Sequence, residues 1–311
     1  MKTTSVAIAS NLRRLARAAA MLAGALMLCA VSVNDAHALV GNGYTVWSWG
    51  TTTDETGIDI GAMKDFTCFL SGVSGNLNAG DQPGFSCDTL GRESIGVVAD
   101  KFPPTNHYWL VAHGGACENQ TNQQVWQNNP VNGQATCFWA TSGVTDAEWS
   151  TGNNDLPVKV ATLITVKPWI RQCFLSGVQG VAGVWNSGGT FARVVKRTAA
   201  DSTHPTAGWY IEANLQPPKD GSHPKVDARC VQFPLGTHVT SGSVSAKPGS
   251  ATTTVITSGA GVKACALTGI TGAFNANNWN DGVVMNPPAQ IDGNWSLTVT
   301  NGKTATWACA S

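Results

Sequence analysis

Cys68-Phe-Leu-Ser-Gly-Val-Ser-Gly75, Cys173-Phe-Leu-Ser-Gly-Val-Gln-Gly180 and Cys265-Ala-Leu-Thr-Gly-Ile-Thr-Gly272 are three renderings of one pattern, C-x-L-[ST]-G-[VI]-x-G. A recurring pattern of this kind marks internal duplication, in which one supersecondary unit has been copied. In an extended chain successive side chains point to opposite faces, so the Cys and Leu of Cys-x-Leu share one face of a strand. The Ser-Gly or Thr-Gly that follows reads as a strand end or a bulge.

More of the unit aligns outward from this stretch. Trp47-Ser-Trp-Gly50 lies upstream of the first copy much as Trp149-Ser-Thr-Gly152 lies upstream of the second; the third keeps only a Ser-Gly. Downstream, Trp185-Asn-Ser-Gly188 matches Trp279-Asn-Asp-Gly282, and the first copy carries an insertion around Cys87 instead. Trp109-x-Val111, Trp209-x-Ile211 and Trp295-x-Leu297 correspond, and their spacing puts each Trp and its aliphatic partner on one face, read as the core face. Each copy closes on a cysteine, Cys137, Cys230 or Cys309. The units are 39–137 (with the insertion), 138–230 and 231–311, each the size of a small domain.

The fold class is all-β. Gly is abundant, charge is sparse, and Thr, Val, Ser and Trp recur in short alternating runs such as Val158-Lys-Val-Ala-Thr-Leu-Ile-Thr-Val166 and Thr252-Thr-Thr-Val-Ile-Thr257, the composition of strands rather than helices. Three tandem sandwich- or barrel-like units, each stapled by disulfides, are the expected architecture. The alternative is a single body with the three units around a pseudo-threefold axis, since no long linker separates them.

The N-terminus reads as a secretory signal peptide over residues 1–38. Lys2, Arg13, Arg14 and Arg17 form a positive n-region, Ala18 to Val33 is apolar, and Ala36-His37-Ala38 is a small-x-small cleavage site. The expected location is therefore secreted or periplasmic, after cleavage near Ala38. Without residues 1–38, Lys+Arg falls from 19 to 15 and Asp+Glu from 19 to 18. The mature chain is mildly acidic, which argues against nucleic acid as a partner. No later stretch is apolar enough to read as an integral membrane segment.

Removing the leader takes Cys29 with it and leaves eight of nine cysteines. An even number in an oxidising compartment reads as disulfides. First-to-last pairing within each unit gives Cys68–Cys137, Cys173–Cys230 and Cys265–Cys309, with Cys87–Cys117 stapling the insertion. Cys68–Cys117 with Cys87–Cys137 is the open alternative. Closing loops of this size contributes roughly 3–4 kcal/mol each in the chain-entropy model.

Residues with the potential for chemistry are scattered. His107, His113, His204, His223 and His238 show no metal-binding spacing, and neither a metal nor a cofactor is expected. Ser71, Ser176 and Thr268 recur in the repeat without a companion His or Asp, and read as hydroxyls bonding backbone at strand ends. Asp54, Glu55 and Asp59, like Asp146 and Glu148, read as solvated loop carboxylates; Asp54–Asp59 and the oxygen-rich loops Asn153-Asn-Asp155 and Asn280-Asp281 are only a weak signal for calcium.

The informative surplus is tryptophan, twelve against three tyrosines. Trp185-Asn186 and Trp279-Asn280-Asp281 lie in Gly/Asn-rich segments. An exposed indole covers the apolar C–H faces of a sugar while neighbouring amides and carboxylates bind its hydroxyls. Trp185, Asn186, Trp279, Asn280 and Asp281 are thus the candidate binding residues of an exported, non-catalytic protein that binds a glycan or cell-surface component, with the repeats supplying avidity. One alternative is a self-associating structural component of an extracellular matrix, filament or envelope. A secreted hydrolase built on the unrepeated features of the first unit, His107 and His113 among them, is another.

Overall fold

The structure, a computed structural model, describes residues 44–311 apart from 52–55, 79–84, 87–92, 101–105, 115, 120–123, 127–129, 152–155, 164–168, 181–182, 216–222, 235, 258–263 and 290–292. The leader, Asp54, Glu55, the Asn153–Asp155 loop and the Cys87–Cys117 pairing lie outside the described residues. The first repeat contributes β1 (Tyr44–Thr51), β2 (Thr56–Ala62), β3 (Thr67–Gly75), β4 (Phe85–Ser86), β5 (Ser94–Asp100), β6 (His107–His113), β7 (Ala116–Asn119), β8 (Gln124–Trp126) and β9 (Val131–Phe138). The second contributes β10 (Ser142–Ser150), β11 (Val158–Ala161), β12 (Ile170–Gln179), β13 (Phe191–Arg197), β14 (Gly208–Asn214) and β15 (Lys225–Phe233). The third contributes β16 (Val239–Ser245), β17 (Ala251–Val255), β18 (Ala264–Thr271), β19 (Gly282–Asn286), β20 (Ser296–Thr300) and β21 (Thr304–Ala310). No helix among the described residues is long and apolar enough to cross a membrane.

These strands form three six-stranded sheets, β1-β9-β3-β19-β20-β17, β10-β15-β12-β5-β6-β2 and β11-β14-β13-β18-β21-β16, with β4-β7-β8 as a small separate sheet in the insertion. Each large sheet is shared by two repeats. The strand bearing the repeated pattern ends the trio of its own repeat and pairs with a strand of another: β3 with β19, β12 with β5, β18 with β13. The three exchanges close in a cycle. The repeats are therefore joined as a single body with pseudo-threefold connectivity, and no sheet closes into a barrel. A repeat could not complete its sheets alone, because the edge of each trio is satisfied by a neighbour's backbone.

The repeated pattern can now be read atom by atom. Cys68, Cys173 and Cys265 face Cys137, Cys230 and Cys309 directly across adjacent antiparallel strands, and the three pairs are disulfide-bonded with Cα atoms 3.9, 3.9 and 4.1 Å apart. The Cys68–Cys137 bond rules out the exchanged pairing with Cys87 and Cys117. Three disulfides also fit an oxidising, extracellular environment. The register shifts at Leu70/Gly72, Leu175/Gly177 and Leu267/Gly269, so Ser71, Ser176 and Thr268 are bulge residues. After the bulge the glycine lies opposite Gln134, Asp227 or Thr306, and its missing Cβ makes room for that side chain; a Cβ on Gly177 would lie 2.6 Å from Asp227 Oδ2.

The last glycine of the pattern clamps the seam. The N–H groups of Gly75, Gly180 and Gly272 donate to the carbonyls of Asp281, Glu93 and Thr190 at 3.0, 2.8 and 2.9 Å, each acceptor immediately preceding the partner strand from the neighbouring repeat. Gly75 adopts φ +96, a conformation open to glycine. At Gly180 the constraint is approach: a Cβ there would overlap the Leu77 carbonyl. Gly180→Ala is expected to destabilise the protein by about 3 kcal/mol, the upper end for overpacking, because backbone rather than a flexible side chain must move. Gly96→Ala, where the nearest atoms are 3.7 Å away, is expected to fall within about 0.5 kcal/mol. Urea denaturation of the two variants checks the contrast.

The core is continuous through the repeats. Phe69, Phe138, Phe174 and Phe233 form a ring cluster with centroids 4.7 to 5.6 Å apart, joining the first two repeats. Trp209 and Trp295 are buried, as the core-face reading expects. Trp109 differs: it is half-buried, while its neighbours Tyr108 and Leu110 fill the core. Alternation places Trp109 on the opposite face of β6, so the alignment of the three tryptophans is off by one position in the first repeat.

Candidate functional site

Directly after the clamping glycines, the chain segments of all three repeats meet. Asn76 and Asn275 form an antiparallel bridge, Leu77 donates to the Phe274 carbonyl at 2.8 Å, and Phe274 donates to the Trp185 carbonyl at 2.9 Å. Side chains repeat the linkage. Asn76 Nδ2 donates to Asn277 Oδ1 at 2.7 Å, and Asn275 Nδ2 donates to Asn186 Oδ1 at 3.1 Å. Asn76 and Asn278 also accept the backbone N–H groups of Asn78 and Asn280, at 2.8 and 3.0 Å, holding local turns as short amide side chains do. Asn76 is buried; Asn186, Asn275, Asn277, Asn278 and Asn280 are exposed. A primary amide has two donors and an acceptor with two lone pairs, so the exposed amides keep capacity for a ligand after their internal bonds are made.

The sequence candidates divide here. Asn186 and Asn280 belong to this amide-rich surface. Trp279 is half-buried, its indole lying over Gly50 of β1, where a Cβ would come within 2.8 Å of Cζ3. Trp185 is fully buried: its ring packs edge-on against Phe274 at 5.4 Å and its Nε1–H donates to the Gln179 carbonyl at 3.0 Å. The two Trp-Asn segments look alike in sequence, yet one ring plugs the core against Phe274 and the other lies half-buried beside Gly50.

Asp281 is also buried, at 3% exposure, facing Lys303 at 1%. Lys303 Nζ, Thr300 Oγ1 and Asn301 Nδ2 all donate to Asp281 Oδ1, at 2.7, 2.7 and 2.8 Å. Burial alone would raise its pKa; those hydrogen bonds and the Lys303 charge outweigh burial and hold it below the ordinary carboxylate value. Its carboxylate is occupied within the protein, while its backbone carbonyl takes the Gly75 clamp.

The remaining candidates do not converge. His107 Nδ1 lies 2.6 Å from Asp59 Oδ2 on the exterior, His113 is buried in the same strand, and His204 Nδ1 faces Asp201 at 2.9 Å. Among the described residues no group of three His, Cys, Asp or Glu could hold a metal ion. Ser71 and Thr268 donate to side chains, Gln134 Oε1 and Thr306 Oγ1, both at 3.0 Å, rather than to backbone. Asp146 and Glu148 are strand residues of β10 paired with Arg229 and Lys225, at 2.5 and 2.9 Å. Sequence reading missed the Asp227–Arg229 segment, whose charges become meaningful only once it is aligned with Gln134–Thr136 and Thr306–Ala308. It also missed Glu212, a buried carboxylate between Arg193 and Arg197. No protein-family model matches the chain, and no curated protein matches its sequence.

Proposed function

We propose that the protein is exported by its N-terminal leader and acts as a non-catalytic binding protein for a glycan or glycan-bearing surface. Its contact surface would be the amide-rich segment cluster beside Trp279. The observation carrying this reading is the paired linkage Asn76–Asn277 and Asn186–Asn275, which holds exposed amides of the second and third repeats on one surface, anchored on the buried Asn76 of the first, next to a half-exposed indole. Convergent amides supply directional hydrogen bonds for vicinal hydroxyls, and the indole supplies an apolar face. The internal bonds also pre-order the amide side chains, so less entropy is lost on binding.

The test is retention of the leaderless protein on a panel of immobilised polysaccharides. Trp279→Ala and Asn186→Ala are each expected to reduce retention at least tenfold while leaving the thermal midpoint near that of the parent. Retention on no member of the panel, or retention unchanged in both variants, would overturn the reading. Trp185→Ala is not a suitable probe. Emptying a fully buried indole site costs about 3–5 kcal/mol, and any loss of binding would follow from unfolding.

A further inference from the structure

The pseudo-threefold connectivity permits an internal comparison at the bulge. In the first and third repeats the bulge hydroxyl and the side chain facing the next glycine satisfy one another: Ser71 donates to Gln134, and Thr268 donates to Thr306. In the second repeat the same two positions are Ser176 and Asp227, and they stay apart. Ser176 is buried at 3% exposure. Among the described residues its hydroxyl has no hydrogen-bond partner, and the Asp227 carboxylate has neither a hydrogen bond nor an ion pair. Across the seam, the residue opposite the post-bulge glycine is Val284 on β19 in one sheet and Arg193 on β13 in another. In this sheet it is Gly96 on β5.

These departures coincide in one open cleft of about 410 Å³ between β5 of the first repeat and β10, β12 and β15 of the second, lined by Ser176, Asp227, Glu148, Gly96 and Val98 among others. Two of its carboxylates already have cations, Asp146 with Arg229 and Glu148 with Lys225. Asp227 is the one left open. Its surroundings raise its pKa to about 6, through burial first and then the neighbouring Glu148 carboxylate, with Lys225 and Arg229 opposing and Asp146 adding slightly. The lining segments of β12 and β5 bring no charged side chain. An unpaired carboxylate held close to a second carboxylate gains most from a cation. The absence of a three-ligand group among the described residues favours an organic cation over a metal ion.

We propose that this cleft binds a primary alkylammonium group, with Asp227 as its counter-ion, Ser176 as a second acceptor, and Val98 along the alkyl chain. An ammonium carries three donors, matching a carboxylate and a hydroxyl that the fold leaves open. The site shares no residue with the amide-rich surface, so either can fail without the other.

The probe is n-butylammonium, titrated into the ¹⁵N-labelled leaderless protein at pH 7.5 and followed by amide chemical shifts, with n-butanol as the neutral isostere. Saturable shifts at residues 96–99, 176–178 and 227–229 with the amine, absent with the alcohol, are expected. Asp227→Asn is expected to weaken binding at least tenfold. Gly96→Val, which installs the residue found at the matching position of another sheet, is expected to do the same by filling the floor. Affinity should also fall as pH drops through about 6, as Asp227 takes a proton. Folding is controlled internally: a carboxyl whose folded pKa lies above its unfolded value costs stability at high pH, so Asp227→Asn should melt no lower than the parent at pH 7.5. Nα-acetyl-lysine methylamide and glucosamine distinguish a protein from a sugar as the source of the amine, and saturable binding of either supports the site. Equal shifts with n-butanol, unchanged affinity in Asp227→Asn, or silence from all three amines would overturn the proposal.

Discussion

Asp281→Ala is expected to lower the unfolding free energy by about 4 kcal/mol, within the range for breaking a buried ion pair by removing one partner. The residue is 3% exposed and its partner Lys303 is 1% exposed, so the variant leaves an ammonium buried against the Phe274 ring, 5.1 Å from its centroid, with its counter-charge gone. Thr300 and Asn301 lose an acceptor at the same time. A double variant, Asp281→Ala with Lys303→Met, should recover part of the loss, because the stranded charge goes with the lysine. Urea denaturation of the two single variants and the double measures the coupling. A double variant as unstable as the sum of the singles would show that the pair acts through packing and not charge. The same geometry sets an acid response. Because the Asp281 pKa is depressed from 3.8 in the folded state, its contribution is present at neutral pH and is lost as pH falls below about 4 and through the folded value. Asp281→Asn should flatten that part of the stability profile.

Removing one staple, Cys173→Ala with Cys230→Ala, is expected to cost about 4 kcal/mol in the chain-entropy model, for a loop whose ends are separated by 57 residues. The bond joins β12 to β15, and β12 is the strand that pairs with β5 of the first repeat. The loss should therefore not be confined to the second repeat. Because each sheet takes half its strands from a neighbour, unfolding should remain one cooperative transition, shifted as a whole. Differential scanning calorimetry of the double variant checks this. A separate low-temperature transition for the second repeat alone would show instead that the repeats unfold as independent domains.

The all-β class, the three repeats and the pairings Cys173–Cys230 and Cys265–Cys309 are legible in the sequence, and for one reason; for Cys68 the sequence leaves Cys137 and Cys117 both open, and the structure decides for Cys137. A β-bulge, a cross-strand cysteine and a clamping glycine each demand particular residue types at fixed offsets, so C-x-L-[ST]-G-[VI]-x-G is local geometry written directly in sequence. The burial of Trp185 and the exposed side of Trp279 were not legible, although both sit in Trp-Asn segments. The burial of Trp185 depends on Phe274, which arrives from another repeat.

The sequence by itself determined that the chain is a triplicated, disulfide-stapled β protein, because those features rest on contacts within one repeat. Only the tertiary structure decided that the repeats trade strands into three shared sheets, since the partner of an exposed strand edge is a backbone with no residue code. It alone decided which of the chemically similar positions remain open. Ser71 with Gln134 and Thr268 with Thr306 close on themselves, whereas Ser176 and Asp227 face a cleft. That difference arises between repeats, where distant parts of the chain supply the missing side chain or, at Gly96, withhold it.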